Sequence, residues 1–282
     1  MPIPAQELAV LAQHFERIER PVKIDYFHQS TSAIIVPGRA PCPTCDEAKR
    51  VLEQIDSLSD QITLRIYEFV DEPAMAKRRG IEGVPGTVIR GEVNRPLRFY
   101  GLPGGVFLNT LAQAILSTSA GTPTPPESVA RTLKKLRGKT HLRVFGSLQH
   151  PPSAEAANVA YSIALASPNI DASVYEINEF SAAAQQWGMD AVPVTVVGEA
   201  QGFVGVTTAP DLVQFLYDLQ IHQGQASASG PPIADGSVAP WRPPEQPAAP
   251  QSGGAIPGEQ PRVARPPGTE RRTPGGIILP GR

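Results

Sequence analysis

The spacing of apolar residues along the chain predicts one helix at the start and then two similar series of strands and helices. Leu8, Leu11, Phe15 and Ile18 recur every three or four positions with polar residues between them, which is typical of a helix that buries one face. Short apolar runs of strand length follow; they first alternate with helical patterns and then follow one another directly. This order predicts a mixed α/β fold with a parallel strand pair and an antiparallel hairpin in each half.

The predicted elements have the same order in both halves. In the first half we expect helices over 5–19, 42–58, 72–79 and 105–117, and strands over 21–28, 62–69, 85–90 and 97–100. In the second half we expect helices over 127–137, 153–166, 179–187 and 210–221, and strands over 140–146, 172–177, 193–198 and 202–206. The shared order indicates a duplicated domain.

Short stretches of sequence recur between the halves at a nearly constant distance. Residues 80–85, GIEGVP, correspond to residues 188–193, GMDAVP, which begin 108 positions later (188 − 80 = 108). A period of this length is that of a whole domain and not of a solenoid repeat. We therefore expect one domain over residues 1–120 and another over residues 121–223, the first with about ten extra residues near 30–41.

Residues 224–282 differ in composition from the rest of the chain. They contain 13 of the 31 Pro and 10 of the 25 Gly, and Trp241 is their one aromatic residue. Such a segment cannot bury enough apolar surface to offset the entropy lost on ordering it. The sequence therefore predicts a disordered C-terminal tail.

Composition and charge exclude several classes of protein. The formal net charge is −2 and the pI about 6.2, so the chain lacks the basic character typical of nucleic-acid-binding proteins. No run of about 18 apolar residues indicates a membrane span, and two cysteines cannot make a disulfide scaffold. The N-terminus lacks the basic start and apolar run of a secretory signal, so we expect a cytoplasmic location.

The two cysteines lie in one motif, Cys42-Pro43-Thr44-Cys45, at the junction of a predicted strand and a predicted helix. We expect Cys42 at the N-terminus of that helix, where backbone N–H groups and the helix dipole favour an anion. Cys42 is therefore the candidate attacking thiolate. Cys45, about one turn later, can close a disulfide with it and resolve a mixed disulfide.

Two other interpretations of the cysteine pair stay open. The cysteines could be buried structural residues that share a motif by chance. They could also be two ligands of a metal site, but such a site needs two further ligands, and His28 is the one imidazole that the predicted layout brings near.

The CxxC motif after a first strand, a Val-Pro pair before a later strand, and the duplication together resemble the thioredoxin superfamily. Pro85 follows Cys42 by 43 positions (85 − 42 = 43). The tandem arrangement resembles the glutaredoxin-like protein disulfide oxidoreductases of archaea and bacteria, and residues 52–64 and 99–105 are similar to that family's first half. The resemblance covers about residues 5–222. It implies two tandem thioredoxin-like domains, each with a central mixed β-sheet flanked by helices, followed by the tail.

The resemblance also implies roles for residues around the cysteines. It implies a cis peptide bond before Pro85, which turns the backbone of Val84 towards an extended substrate, and it implies that Pro43 and Thr44 border that substrate. An ordinary trans proline at a strand start is the alternative. Asp25 resembles a buried carboxylate beneath the second cysteine that takes the proton of the resolving thiol; the alternative is a solvated Asp25 or one paired with a lysine.

The second half lacks the thiols. His150 and Ser153 stand where the first half has its cysteines, and Pro193 is retained. Ser153 resembles a helix N-cap. Without thiols this half cannot exchange disulfides, so we expect structural support or a docking surface; a His–Ser catalytic pair is a further alternative, although no acidic partner is evident.

The sequence thus predicts a thiol–disulfide oxidoreductase that acts on protein disulfides or dithiols through Cys42 and Cys45. No cofactor is expected on the chain itself, since no dinucleotide-binding GxGxxG motif is present. The family resemblance implies a separate flavoprotein of the thioredoxin-reductase type that passes electrons from NADPH. The alternatives are an electron donor to a peroxiredoxin-type peroxidase and a redox-sensing binding module without enzymatic activity.

Overall fold

The structure is a computed structural model that describes residues 3–30, 41–186, 189, 191–198, 201–221 and 240–241. Residues 31–40, which make up most of the extra segment near 30–41, lie outside the described residues. So does the predicted tail over 224–282, with the exception of residues 240–241.

The first half contains four helices and four strands within the described residues. They are α1 (Ala5–Phe15), β1 (Val22–His28), α2 (Cys45–Asp56), β2 (Ile62–Glu68), α3 (Pro73–Arg79), β3 (Gly86–Arg90), β4 (Leu97–Tyr100) and α4 (Val106–Ala120). The second half repeats this order. Its elements are α5 (Glu127–Leu133), β5 (Thr140–Gly146), α6 (Pro151–Ala166), β6 (Ile170–Glu176), α7 (Ser181–Gln186), β7 (Val194–Val197), β8 (Gln201–Val204) and α8 (Ala209–Ile221).

Both halves belong to one continuous sheet with the strand order β2-β1-β3-β4-β6-β5-β7-β8, and a short strand β9 (Pro240–Trp241) follows β8 at the edge. Within each half the first two strands pair in parallel and the last two form an antiparallel hairpin, as predicted. The first strand also pairs antiparallel with the third. The halves are joined by a parallel pair, in which β4 (Leu97–Tyr100) lies opposite residues 172–175 of β6. Sequence analysis predicted the two units but not this shared sheet, which brings the end of β6 close to the first half.

The sheet is covered on both faces, and β1 illustrates the reason. Successive side chains of a strand point to opposite faces. Ile24 and Tyr26 belong to the core under α2, whereas Phe27 belongs to the core under α3. In α2 the buried residues recur at helical spacing and face the first of these cores: Ala48, Val51, Leu52 and Ile55. Burial of each large apolar side chain contributes roughly 1.5–3 kcal/mol.

Aromatic side chains fill the junction between the halves. The rings of Tyr100 and Tyr175 stack with their centroids 4.4 Å apart, and Phe145 stacks on the other side of Tyr175 at 4.9 Å. Gly101 follows with a φ of +121°, and a Cβ at this position would lie 2.6 Å from Cβ of Glu176. The close approach requires glycine here and places the end of β4 directly against the end of β6.

A two-residue strand, β9 (Pro240–Trp241), pairs antiparallel with the outer edge of β8. These two residues lie within the segment that the sequence predicts to be disordered, and the rest of that segment lies outside the described residues.

Candidate functional site

Cys42 and Cys45 are joined by a disulfide, with 2.06 Å between the sulfur atoms and 5.4 Å between the Cα atoms. The two residues differ in exposure: Cys42 is 8% exposed and Cys45 is 1% exposed. The more accessible residue is therefore the one that we predict to attack a substrate, and the buried one is the predicted resolving residue.

The helix after the motif begins later than the sequence predicts. α2 starts at Cys45 and not at Cys42. Cys42 lies in the preceding turn. Its carbonyl oxygen accepts a hydrogen bond from the N–H of Cys45 at 3.4 Å. Thr44 occupies the N-cap position, but its side chain does not cap α2; it is engaged elsewhere, as described below.

A side chain of β1 and the backbone just after β1 hold the buried Cys45 in place. The hydroxyl of Tyr26 donates a hydrogen bond to the carbonyl oxygen of Cys45 at 2.7 Å. The backbone N–H of Gln29 points at Sγ of Cys45 at 3.4 Å. The disulfide is thus attached to the carboxyl end of β1.

The peptide bond between Val84 and Pro85 is cis, as the family resemblance implies. Pro85 precedes Gly86, which lies opposite Phe27 near the end of β1. The cis peptide bond and the disulfide therefore lie at the same edge of the sheet. Among the described residues, none makes a backbone hydrogen bond with the N–H or carbonyl of Val84.

Glu179 of the second half reaches the loop between the cysteines. The hydroxyl of Thr44 donates a hydrogen bond to Oε2 of Glu179, and the backbone N–H of Leu102 donates one to Oε1 at 2.6 Å. Burial raises the pKa of Glu179, although these two hydrogen bonds oppose the increase. Burial also raises the pKa of Tyr26, and the negative charge of Glu179 adds to that effect. A carboxyl group with an elevated pKa therefore lies beside the disulfide loop.

The role of Glu179 is not evident from the sequence, because this residue follows β6 in the half without cysteines. The parallel pairing of β4 with β6 brings it to the first half. Its backbone N–H is bonded to the buried Glu176 at 2.9 Å, which fixes the turn. No short motif around Glu179 predicts this contact, because it depends on a pairing between strands of the two halves.

Asp25 lies elsewhere than expected. Its side chain is fully buried, and Oδ2 accepts hydrogen bonds from Arg79 Nε at 2.5 Å and Arg90 Nε at 2.8 Å. Because neighbouring residues of a strand face opposite sides, Asp25 points towards α3 while Tyr26 points towards Cys45. The structure thus corrects the expected position beneath Cys45, and the partners are arginines and not a lysine.

The contacts of Asp25 predict a structural effect on replacement. Asp25→Asn should lower the free energy of unfolding by about 3 kcal/mol, because Arg79 and Arg90, each about four-fifths buried, lose their charge partner. Chemical denaturation measures this loss. The rate of disulfide exchange by the folded variant should stay within twofold of the parent. A slow resolving step at unchanged stability would instead support the proton-acceptor role.

The architecture and the site can be compared with known proteins. No family model matches the chain, and no curated protein matches it. Solved structures do match. The NTD_N/C domain of alkylhydroperoxide reductase AhpF from Enterococcus faecalis is 22% identical, with 76% of this chain and 99% of that chain covered and a TM-score of 0.66. A protein disulfide oxidoreductase from Aeropyrum pernix K1 is 19% identical, with 78% and 94% covered and a TM-score of 0.67.

The chain has a tandem thioredoxin-like fold. The fold class predicted from the CxxC motif, the Val-Pro pair and the duplication is therefore confirmed. Both thioredoxin-like units carry the cis peptide bond, before Pro85 in the first and before Pro193 in the second.

The second thioredoxin-like unit has a different group in place of the disulfide. Nδ1 of His150 lies 3.2 Å from Oγ of Ser153, and the same oxygen accepts a hydrogen bond from the N–H of Ser147 at 3.1 Å. The helix begins at Pro151 with His150 as N-cap residue, so the expectation that Ser153 caps it is wrong. Ser153 is fully buried, which is suited to a packing role.

Two further observations concern other classes of site. No group of three or more His, Cys, Asp or Glu residues in the described ranges is arranged to hold a metal ion. None of the helices formed by the described residues is both long and apolar enough to cross a membrane.

Proposed function

We propose that the protein is a thiol–disulfide oxidoreductase that acts on protein disulfides and dithiols through Cys42 and Cys45. The observation that carries this proposal is the disulfide itself, closed between the only two thiols of the chain. It lies at the same sheet edge as the cis peptide bond before Pro85. A purely structural disulfide would not require a cis peptide bond beside it.

The reduced pair would transfer two electrons in two displacements. The thiolate of Cys42 attacks one sulfur of a substrate disulfide, a mixed disulfide forms, and the other substrate sulfur leaves as a thiolate. Cys45 then loses its proton and attacks the sulfur of Cys42. The second substrate sulfur leaves, so the substrate ends as a dithiol and the protein as the Cys42–Cys45 disulfide. The reverse sequence oxidises a dithiol.

We propose that Glu179 accepts the proton of the resolving thiol, Cys45. The buried Cys45 has to ionise before it attacks, and an acceptor with a raised pKa is suited to this step. Glu179 is bonded to Thr44, the neighbour of Cys45, and burial raises its pKa. Asp25 is instead held by two arginines on the other face of the sheet.

The backbone of Val84 supports binding of an extended substrate. Its N–H and carbonyl make no backbone hydrogen bond to other described residues, and an extended chain placed along it would satisfy both groups. Pro43 and Thr44, between the cysteines, would form the opposite border of this groove.

The electrons need a separate donor. The exchange uses two sulfur atoms and no bound cofactor, so we propose that a flavoprotein of the thioredoxin-reductase type re-reduces the pair with NADPH in a cytoplasmic setting. One of the similar structures belongs to an alkylhydroperoxide reductase. A peroxiredoxin-type peroxidase is therefore the second class of electron acceptor to be tested.

The two classes of acceptor can be separated directly. The full chain, reduced with dithiothreitol and freed of it, should reduce insulin disulfides stoichiometrically and convert Cys42 and Cys45 to the disulfide. Reduction of an oxidised peroxiredoxin without reduction of insulin would favour the dedicated peroxidase donor. Reduction of neither would contradict an oxidoreductase and favour the redox-sensing module.

A further inference from the structure

One turn of the second half, residues 178–180, contacts both loops that border the disulfide. Glu179 binds Thr44 between the cysteines. The next residue, Phe180, lies against the loop before the cis peptide bond: a Cβ at Gly83 would be 3.0 Å from Cε1 of the Phe180 ring. Two consecutive residues of the second half therefore reach the two sides of the groove in the first half.

The ring of Phe180 is held in a fixed orientation. Its edge-to-face contacts join it to Tyr100, with centroids 5.6 Å apart, and to Tyr175, at 5.8 Å. The backbone N–H of Phe180 donates to the carbonyl of Glu176 at 3.0 Å. An aromatic ring held in this way can contact a ligand with little loss of conformational entropy.

Phe180 is nevertheless only half-buried. Val84, at the cis peptide bond, and Met189 are half-buried as well, and all three pack on the same apolar cluster. The loop before the cis peptide bond thus has an apolar, partly exposed border, to which the two halves of the chain both contribute.

We propose that Phe180 is a specificity-determining residue, whose exposed ring edge contacts an apolar side chain next to the reactive cysteine of an extended polypeptide. This inference rests on the proposed function, because it names the class of substrate for the same site. The second half, which has lost its thiols, thereby acts in substrate selection through the turn at 178–180. Small disulfides without neighbouring side chains do not make this contact.

The test uses two synthetic peptide disulfides that differ at one position, with Leu or Asn next to the cysteine. These side chains are similar in size and both are neutral, so the acidic groups near the site affect them alike. Wild-type kcat/KM should favour the Leu peptide about fivefold, which is the scale of one modest apolar contact. The difference should lie in KM. Hydroxyethyl disulfide serves as the small substrate.

Three variants make the test decisive. Phe180→Ala should lower the preference for Leu below twofold and leave kcat/KM for hydroxyethyl disulfide within twofold of wild type. Gly83→Ala, whose new methyl group would lie 3.0 Å from Cε1 of Phe180 and push the ring by a few tenths of an ångström, should lower the preference without removal of the ring, and it decides the matter if Phe180→Ala does not fold. Tyr217→Ala, a half-buried aromatic residue on α8, is the matched control and should keep the preference.

The outcomes separate the two levels of the proposal. A fivefold preference that survives in Phe180→Ala and Gly83→Ala would overturn the inference, as would equal losses on peptides and hydroxyethyl disulfide, since these indicate a merely structural role. Exchange by the wild type without any preference would also overturn it, while the proposed function would stand. Failure of the wild type to exchange with either peptide would contradict the proposed function itself.

Discussion

Cys42→Ser should reduce exchange with protein disulfides to the uncatalysed background, a loss of roughly 10³-fold or more. A serine hydroxyl neither ionises at neutral pH nor attacks a disulfide sulfur, whereas the thiolate is the reacting species of cysteine. The residue is the more accessible member of the pair, and the other thiol that remains in this variant, Cys45, is only 1% exposed. Insulin reduction with dithiothreitol as the reductant measures the loss.

Cys45→Ser is the matched control for this prediction. It removes the resolving sulfur but keeps the attacking one, so a single attack and a stable mixed disulfide should remain. Equal rates for wild type and Cys42→Ser would contradict the assignment. Attack by Cys45 would instead be indicated by two results together. Cys45→Ser would form no mixed disulfide with the substrate, and Cys42→Ser would form one.

Glu179→Gln should slow the resolving step by roughly 100-fold near neutral pH, the usual contribution of a positioned proton acceptor. Glutamine keeps one acceptor oxygen for the N–H of Leu102 and can donate its amide N–H to the hydroxyl oxygen of Thr44, but it cannot take a proton. The first attack, by Cys42, does not need this carboxylate and should change less than threefold. Stopped-flow fluorescence of a single turnover with a labelled peptide disulfide separates the two steps.

The pH dependence gives this prediction a definite sign. Burial raises the pKa of Glu179 above its ordinary value of 4.5, and only the ionised form accepts a proton. The wild-type resolving rate should therefore rise with pH through that elevated pKa. The variant should lack this rise and accelerate only at the higher pH at which the Cys45 thiol ionises without a proton acceptor. The ratio of the two rates should thus shrink at high pH.

Glu179→Asp, which retains a carboxylate, should recover part of the rate at neutral pH. Proton transfer would be contradicted if Glu179→Gln slowed the resolving step by the same factor at every pH. It would also be contradicted if the variant slowed the first attack as much as the resolving step. Such a result would show that Glu179 only holds the loop at Thr44.

Local sequence was sufficient to predict the fold class and the pair of cysteines that forms the disulfide. The strand and helix patterns repeat in each half, and Cys42 and Cys45 lie three residues apart at a strand–helix junction, a separation that allows a disulfide. The cis peptide bond before Pro85 required the family resemblance, because most X–Pro bonds are trans. In all these cases the informative residues are close in sequence or belong to one repeated unit.

The missed parts of the site depend on contacts between distant residues. Glu179 and Phe180 reach the groove only because β4 pairs with β6, and each half taken alone gives no reason for that pairing. Asp25 was assigned from its place on β1, but the position of Arg79 on α3 and Arg90 on β3 decides its partners. A carboxylate on a buried strand is compatible with either face until those partners are known.

The central claim is that Cys42 carries a covalent intermediate with a protein substrate. Intact-protein mass spectrometry of reduced Cys45→Ser after mixing with insulin tests it most directly. One insulin molecule should become attached at Cys42, and this adduct should be released by dithiothreitol and absent from the Cys42→Ser variant. If Cys45→Ser, correctly folded, formed no adduct under conditions in which the wild type reduces insulin, exchange through Cys42 would be contradicted.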